Sequence, residues 1–206
     1  LIENGRFVSV GDISPANIPE AQVIDLNGRT VVPGLVDSHM HFVRGTLRPG
    51  HDMRTVEAAR SITELLQAVA LRADGVPDGE LISIVGGWDP VQFIGENRFP
   101  TLAELDNVAP DHPFYMHLRA NGPAVTNSKG KALLEAEGIT VDTDGMIAMG
   151  RGPGNAIAAW DVFKASQTEA DRRRSATEFM SHANSLGLTT IIDAAADLPA
   201  TLTSDS

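Results

Sequence analysis

The 206-residue chain is 42% hydrophobic and carries 19 glycines, a globular composition sufficient for one or two domains. Its net charge of −11 at pH 7 argues against nucleic acid as a partner, since phosphate binding draws on clustered Lys and Arg, and the absence of cysteine excludes disulfides and thiolate metal ligation. No run of about 18 apolar residues marks a membrane span; the expected setting is cytoplasmic, with no membrane partner and with oligomerisation left open.

The chain opens β-rich. Asn4-Gly5 is a hairpin turn signal ahead of an alternating strand at residues 6–10, and Asn27-Gly28 joins residues 22–26 to residues 29–32 as a second hairpin. These predict a small sheet over residues 1–33. Pro33-Gly34 then breaks the pattern, and the rest of the chain reads as α/β.

Residues 35–41 restart an apolar strand that ends in His39-Met40-His41. Successive strand side chains alternate faces, so the two imidazoles point the same way about 6.6 Å apart, and can share one metal ion at about 2.0 to 2.1 Å each. Asp37 falls on the same face, where it could accept an imidazole N–H. The carboxyl end of a buried strand is where parallel α/β barrels carry their chemistry. The bland alternative is a half-exposed strand that happens to hold two histidines. A cupin-like sheet is another, but it asks for a Glu three or four residues past the second histidine, where Arg44 and Gly45 stand.

Residues 42–55 lack periodicity and read as a loop over that site, with His51-Asp52 suited to loop hydrogen bonding rather than substrate contact. Ser61 and Glu64 form a capping box for a helix whose Ile62, Leu65, Leu66, Val69 and Ala70 share one face until Asp74-Gly75. Residues 81–85 are a short buried strand leading into Gly86-Gly87-Trp88-Asp89-Pro90. There the paired glycines allow close backbone approach, and Trp88 either walls an apolar substrate pocket or plugs a barrel mouth.

Thr101 with Glu104 caps a short helix, and residues 114–118 form a strand with Phe114, Met116 and Leu118 on one face and Tyr115, His117 and Arg119 on the other. His112 and His117 read as structural. Asn127-Ser128 caps a helix closed by Gly138. Residues 142–155 are glycine-rich and read as a long turn, and Gly150-Arg151-Gly152-Pro153-Gly154 lacks the Gly-Lys-Ser/Thr ending of a phosphate loop. Thr168 with Asp171 opens a helix with Ala176, Phe179, Met180 and Ala183 on one face, Arg172-Arg173-Arg174 on its solvated side, and His182 facing solvent. Residues 188–193 are the next strand, with Asp193 at its end a pocket candidate by position and a surface or capping carboxylate by preference.

The run Val-Val-Pro-Gly-Leu-Val-Asp-Ser-His-Met-His-Phe at residues 31–42 resembles the first-strand signature of the metal-dependent amidohydrolase superfamily. Gly86-Gly87-Trp88-Asp89, residues 98–106, Ala109-Pro110-Asp111-His112-Pro113, Asn127-Ser128 and Gly187-Leu188-Thr189-Thr190 follow in order and resemble its YtcJ-like amidohydrolase family 3 branch. The resemblance implies an incomplete TIM barrel of the metal-dependent hydrolase type over residues 34–206, with strands at residues 35–41, 81–85, 114–118 and 188–193, preceded by part of a small β-sandwich domain over residues 1–33.

It further implies one or two divalent ions, Zn²⁺ being expected, held in part by His39 and His41. The implied reaction is hydrolysis of a carbon–nitrogen bond other than a peptide bond, in a small amide-like substrate, by metal-activated water. By the same resemblance a modified lysine, two more histidines and a catalytic aspartate come from later strands, so no catalytic residue is assigned. The Gly-His pair of many members is missing at Ala120-Asn121-Gly122-Pro123-Ala124. A closed barrel takes typically about 250 residues, so the expectation is an amino-terminal portion of such an enzyme. The competing expectation is a catalytically incomplete fragment with no activity by itself.

Overall fold

A computed structural model describes residues 1–118, 122–150 and 152–194. The chain divides into two units, Leu1–Gly34 and Leu35–Ser206.

In the first unit β1 (Ile2–Glu3) and β2 (Arg6–Phe7) pair antiparallel, Ile2 opposite Phe7. Asn4 and Gly5, at φ 51° and 74°, supply the two left-handed residues such a tight turn requires. The second expected turn also forms: Asn27 and Gly28 are left-handed, and the Arg29 N–H donates to the Leu26 carbonyl at 3.0 Å. Its flanks do not pair, however, and Val23, Ile24, Val31 and Val32 are exposed. The expected hairpin is thus a turn without a ladder. Turn chemistry decides where a chain reverses, whereas a lasting ladder needs a further strand or an apolar face to bury.

The second unit runs β3 (Leu35–Met40), α1 (Phe42–Thr46), β4 (His51–Asp52), α2 (Ile62–Ala73), β5 (Ile82–Val85), α3 (Leu102–Val108), β6 (Phe114–His117), β7 (Ala124–Thr126), α4 (Ser128–Ala136), β8 (Met146–Ile147), α5 (Ala156–Ala165), α6 (Glu169–Ser185) and β9 (Leu188–Asp193). It is an α/β arrangement with two sheets. One has the order β4-β5-β6-β7-β8, parallel through β6 and antiparallel beyond; the other is the parallel pair β3-β9.

This corrects the expectation that four strands share one barrel sheet. Of the four, β3 pairs with β9 and β5 with β6, but the two pairs lie in different sheets, β5 and β6 in the mixed sheet with β4, β7 and β8. Apolar runs mark strands, but they do not say which strands are neighbours. The expected loop at residues 42–55 is likewise replaced in part by α1 and β4.

The mixed sheet is covered on both faces, which explains why its strands read as continuous apolar runs. Ile82, Ile84, Phe114, Met116 and Val125 pack with Leu65 and Val69 of α2 and Leu105 of α3. Tyr115, Ala124 and Ile147 pack with Leu134 of α4 and with Ala159 and Phe163 of α5. Each fully buried large side chain here stabilises the fold by roughly 1.5–3 kcal/mol.

Helix starts follow the predicted caps. Thr101 with Glu104, and Thr168 with Asp171, form complete capping boxes. At α2 the Ser61 hydroxyl accepts the Glu64 N–H at 3.1 Å, but the Glu64 carboxylate takes the Arg60 N–H, one residue early, so half of the expected box forms. On α6, Arg173 pairs with Glu169 and Arg174 with Asp171, the solvated face expected of the basic run.

Candidate metal centre

His39 lies in β3 and His41 directly follows it, ahead of α1. Their ring centroids are 5.6 Å apart, inclined at 74°. Two imidazoles holding one ion at about 2.0 to 2.1 Å with a near-tetrahedral angle place their centroids about 5 Å apart, so the observed pair fits a shared ion. Both residues are exposed, and neither ring is hydrogen-bonded to a described residue, which leaves the nitrogen donors available. Among the described residues no group of three or more His, Cys, Asp and Glu side chains is gathered for a metal.

The backbone under the pair departs from a plain strand. The β3-β9 ladder steps from Asp37 opposite Ile191 to Met40 opposite Asp193, so one extra residue is accommodated at Ser38-His39. Such a bulge re-aims side chains. The Asp37 carboxylate accepts the His39 backbone N–H at 3.0 Å. Where an imidazole N–H was the expected donor to Asp37, the observed donor is the His39 backbone N–H, a bond that supports the bulge carrying His39.

Past β3, the Met40 carbonyl accepts the Ala194 N–H at 2.9 Å, and the Asp193 Oδ2 accepts the Val43 N–H at 2.7 Å in the first turn of α1. Sequence position suggested a pocket or capping carboxylate at Asp193, and its bond to the Val43 N–H is a cap. Nothing in the local sequence around Val43 announces that its N–H is met by a group 150 residues away.

Trp88 is not brought to this site. It is 6% exposed, its indole N–H donates to the His117 carbonyl at 3.1 Å, and its ring meets Phe99 edge-on at 4.9 Å and stacks on Phe93 at 6.2 Å. Of the two roles expected for Trp88, wall of a pocket or plug, these contacts describe the packing one: the ring fills the core and its donor is used. At the neighbouring Gly87, φ 75°, a Cβ would stand 2.6 Å from Glu57 Oε1, so the close approach serves packing against another segment.

The other polar candidates are structural. His51 is buried between Glu80, at 2.5 Å from Nε2, and Arg72, at 3.3 Å from Nδ1. Arg48 and Arg54 flank Asp52 at 2.9 Å each; burial pushes the Asp52 carboxyl up, and the two guanidiniums oppose this. Burial also lowers Arg54 to about 10. His117 is buried, its Nε2 donates to the Gly122 carbonyl at 3.2 Å, and desolvation pushes its pKa down. His112 bonds the Glu80 carbonyl through Nδ1 at 3.2 Å. His182 is exposed, as expected. Arg119, Ala120, Asn121 and Arg151 lie outside the described residues.

Similarity to known proteins bears on this arrangement. N-substituted formamide deformylase of Arthrobacter pascens is 31% identical over 119 residues, 56% of this chain and 22% of that enzyme. The putative amidohydrolase YtcJ of Bacillus subtilis is 33% identical over 134 residues, 62% of this chain and 23% of that protein. The chain thus spans less than a quarter of the length of these two relatives. An uncharacterized metal-dependent hydrolase from Pyrococcus horikoshii aligns over 92% of this chain and 37% of its own, at 25% identity and a TM-score of 0.48. Residues 22–203 match the model of the Amidohydrolase family, and the chain belongs to that family.

Proposed function

We propose that the chain carries the first metal-binding strand of a hydrolase that cleaves carbon–nitrogen bonds other than peptide bonds in small amide-like substrates. In this reading residues 34–206 are an amino-terminal part of a TIM barrel, and residues 1–33 are part of a small β-sandwich domain. The observation that carries the proposal is the pairing of His39 and His41, whose adjacent, exposed rings stand at the end of a parallel strand. His39 and His41 would hold a divalent ion, with Zn²⁺ expected and one or two ions in the complete site. When bound, the ion supplies Lewis acidity, which makes water a usable nucleophile near neutral pH and polarises an amide-like carbonyl.

The chain's own part is to present two nitrogen donors on a fixed backbone. Asp37 supports the bulge under His39, and the end of β9 holds the segment around His41. Membership of the Amidohydrolase family and the likeness to a formamide deformylase support this chemistry over simple metal storage.

The test is titration of the full chain with Zn²⁺, followed by assay on N-substituted formamides and N-acyl amines. Zn²⁺ binding that is lost in His39→Ala and in His41→Ala is expected. Binding that survives both substitutions sinks the reading.

A second reading, a catalytically incomplete fragment, is favoured by a separate observation. Leu35 and Val36 of β3 and Ile192 of β9 are more than half exposed, at 51%, 62% and 55%, as strands awaiting a partner layer would be. It predicts Zn²⁺ binding without turnover by the 206-residue chain.

A further inference from the structure

We infer that Asp193 is a positioning residue for His41, acting through the backbone of α1 and not as a ligand. The inference rests on the His39–His41 reading above and adds to it the device that aims the second imidazole. His41 occupies the position before the first residue of α1, where a side chain usually accepts an N–H of the first turn. The His41 side chain makes no such bond. An imidazole committed to capping would be turned back over its own helix and lost to a metal.

Asp193 takes over that duty from the neighbouring strand. Its Oδ2 accepts the Val43 N–H at 2.7 Å, where negative charge is favoured by the helix dipole. Directly behind it, the Ala194 N–H donates to the Met40 carbonyl at 2.9 Å. The two-residue arch His41-Phe42 therefore has both feet on the end of β9. A five-residue helix is too short to hold itself, since nucleation is costly and few intrahelical bonds repay it. The direction of the His41 ring is accordingly fixed by a tertiary contact, and removal of the Asp193 acceptor frees the arch.

The experiment uses the full chain as wild type, Asp193→Ala and Asp193→Asn, with two readouts. In the metal-free protein the nuclear Overhauser effect between the His39 and His41 ring protons reports the 5.6 Å pairing. Zn²⁺ affinity is measured by calorimetry. Asp193→Ala is expected to lose the ring-to-ring signal and to bind Zn²⁺ about tenfold to a hundredfold more weakly. Asp193→Asn keeps an oxygen acceptor for Val43 and is expected to retain the signal and to bind within about threefold of wild type.

Wild-type signal and affinity in Asp193→Ala overturn the inference, as does an Asn variant as impaired as the Ala variant in both readouts. Absence of the signal in wild type overturns it as well. Failure of the metal reading looks different: the wild type then shows the ring pairing, loses it in Asp193→Ala, and binds no Zn²⁺ at all.

Discussion

Asn127 holds Phe114 in place: its Oδ1 accepts the Phe114 N–H at 3.0 Å, tying the start of α4 to the start of the central strand β6. The same oxygen accepts the Gly130 N–H at 3.0 Å, and Nδ2 donates to the carbonyls of Ala109 at 3.1 Å and His112 at 2.8 Å. All four bonding positions of a fully buried amide are used. Asn127→Ala strands these groups without water and should cost about 2–4 kcal/mol in urea denaturation. Asn127→Asp should be nearly as damaging, because an ionised carboxylate cannot donate to two carbonyls. An Asp variant with wild-type stability would show that the two donor bonds contribute nothing.

Gly130 stands one turn into α4, where alanine is the better helix former by about 1 kcal/mol in isolation. A Cβ at this position would lie 2.1 Å from Thr126 Oγ1 and 2.8 Å from the Phe114 carbonyl oxygen. Gly130→Ala is therefore expected to destabilise by about 1–3 kcal/mol. A rise in melting temperature would refute the close packing of α4 on β6 and β7.

Trp88 separates packing from substrate binding. Trp88→Phe keeps most of the ring and removes the donor to the His117 carbonyl, so a loss of about 1–2 kcal/mol in stability is expected with Zn²⁺ affinity unchanged. Stability left intact alongside a raised Michaelis constant for a formamide substrate would favour the pocket role.

The acid limb of stability should carry the mark of Glu104. The Arg98 guanidinium donates to both carboxylate oxygens, at 2.7 and 2.8 Å, and Thr101 adds its N–H and hydroxyl, which together hold the Glu104 pKa down to about 2 from its ordinary 4.5. Because the folded-state value is the lower one, the unfolded chain binds more protons between these limits. The stabilisation is complete above about pH 4.5 and is lost as the pH falls toward 2. Arg98 is 40% exposed and Glu104 30%, so solvent screens the pair and the effect should stay below about 1 kcal/mol. Urea midpoints measured from pH 5 to 2 should fall less steeply in Glu104→Gln than in wild type; identical slopes would remove Glu104 from the account.

Local chemistry was legible wherever a residue acts on its near neighbours. The left-handed turns at Asn4-Gly5 and Asn27-Gly28, the boxes Thr101/Glu104 and Thr168/Asp171, and the apolar faces of α2 and β6 all follow from spacing alone. That His39 and His41 stand close together follows from their spacing, while the aim of their rings does not, because a bulge underlies His39 and His41 lies past the end of β3. The gathering of four strands into one sheet was misread because a strand's neighbour is set by segments distant along the chain.

By itself the sequence determined the tight turns, most helix starts and the nearness of the two imidazoles, because these depend on contacts within a few residues. Tertiary structure alone decided that β3 pairs with β9, that a bulge underlies His39, and that Asp193 reaches Val43. The reason is physical: a backbone N–H can be satisfied by any acceptor that folding brings within about 3 Å. No local pattern encodes which one arrives.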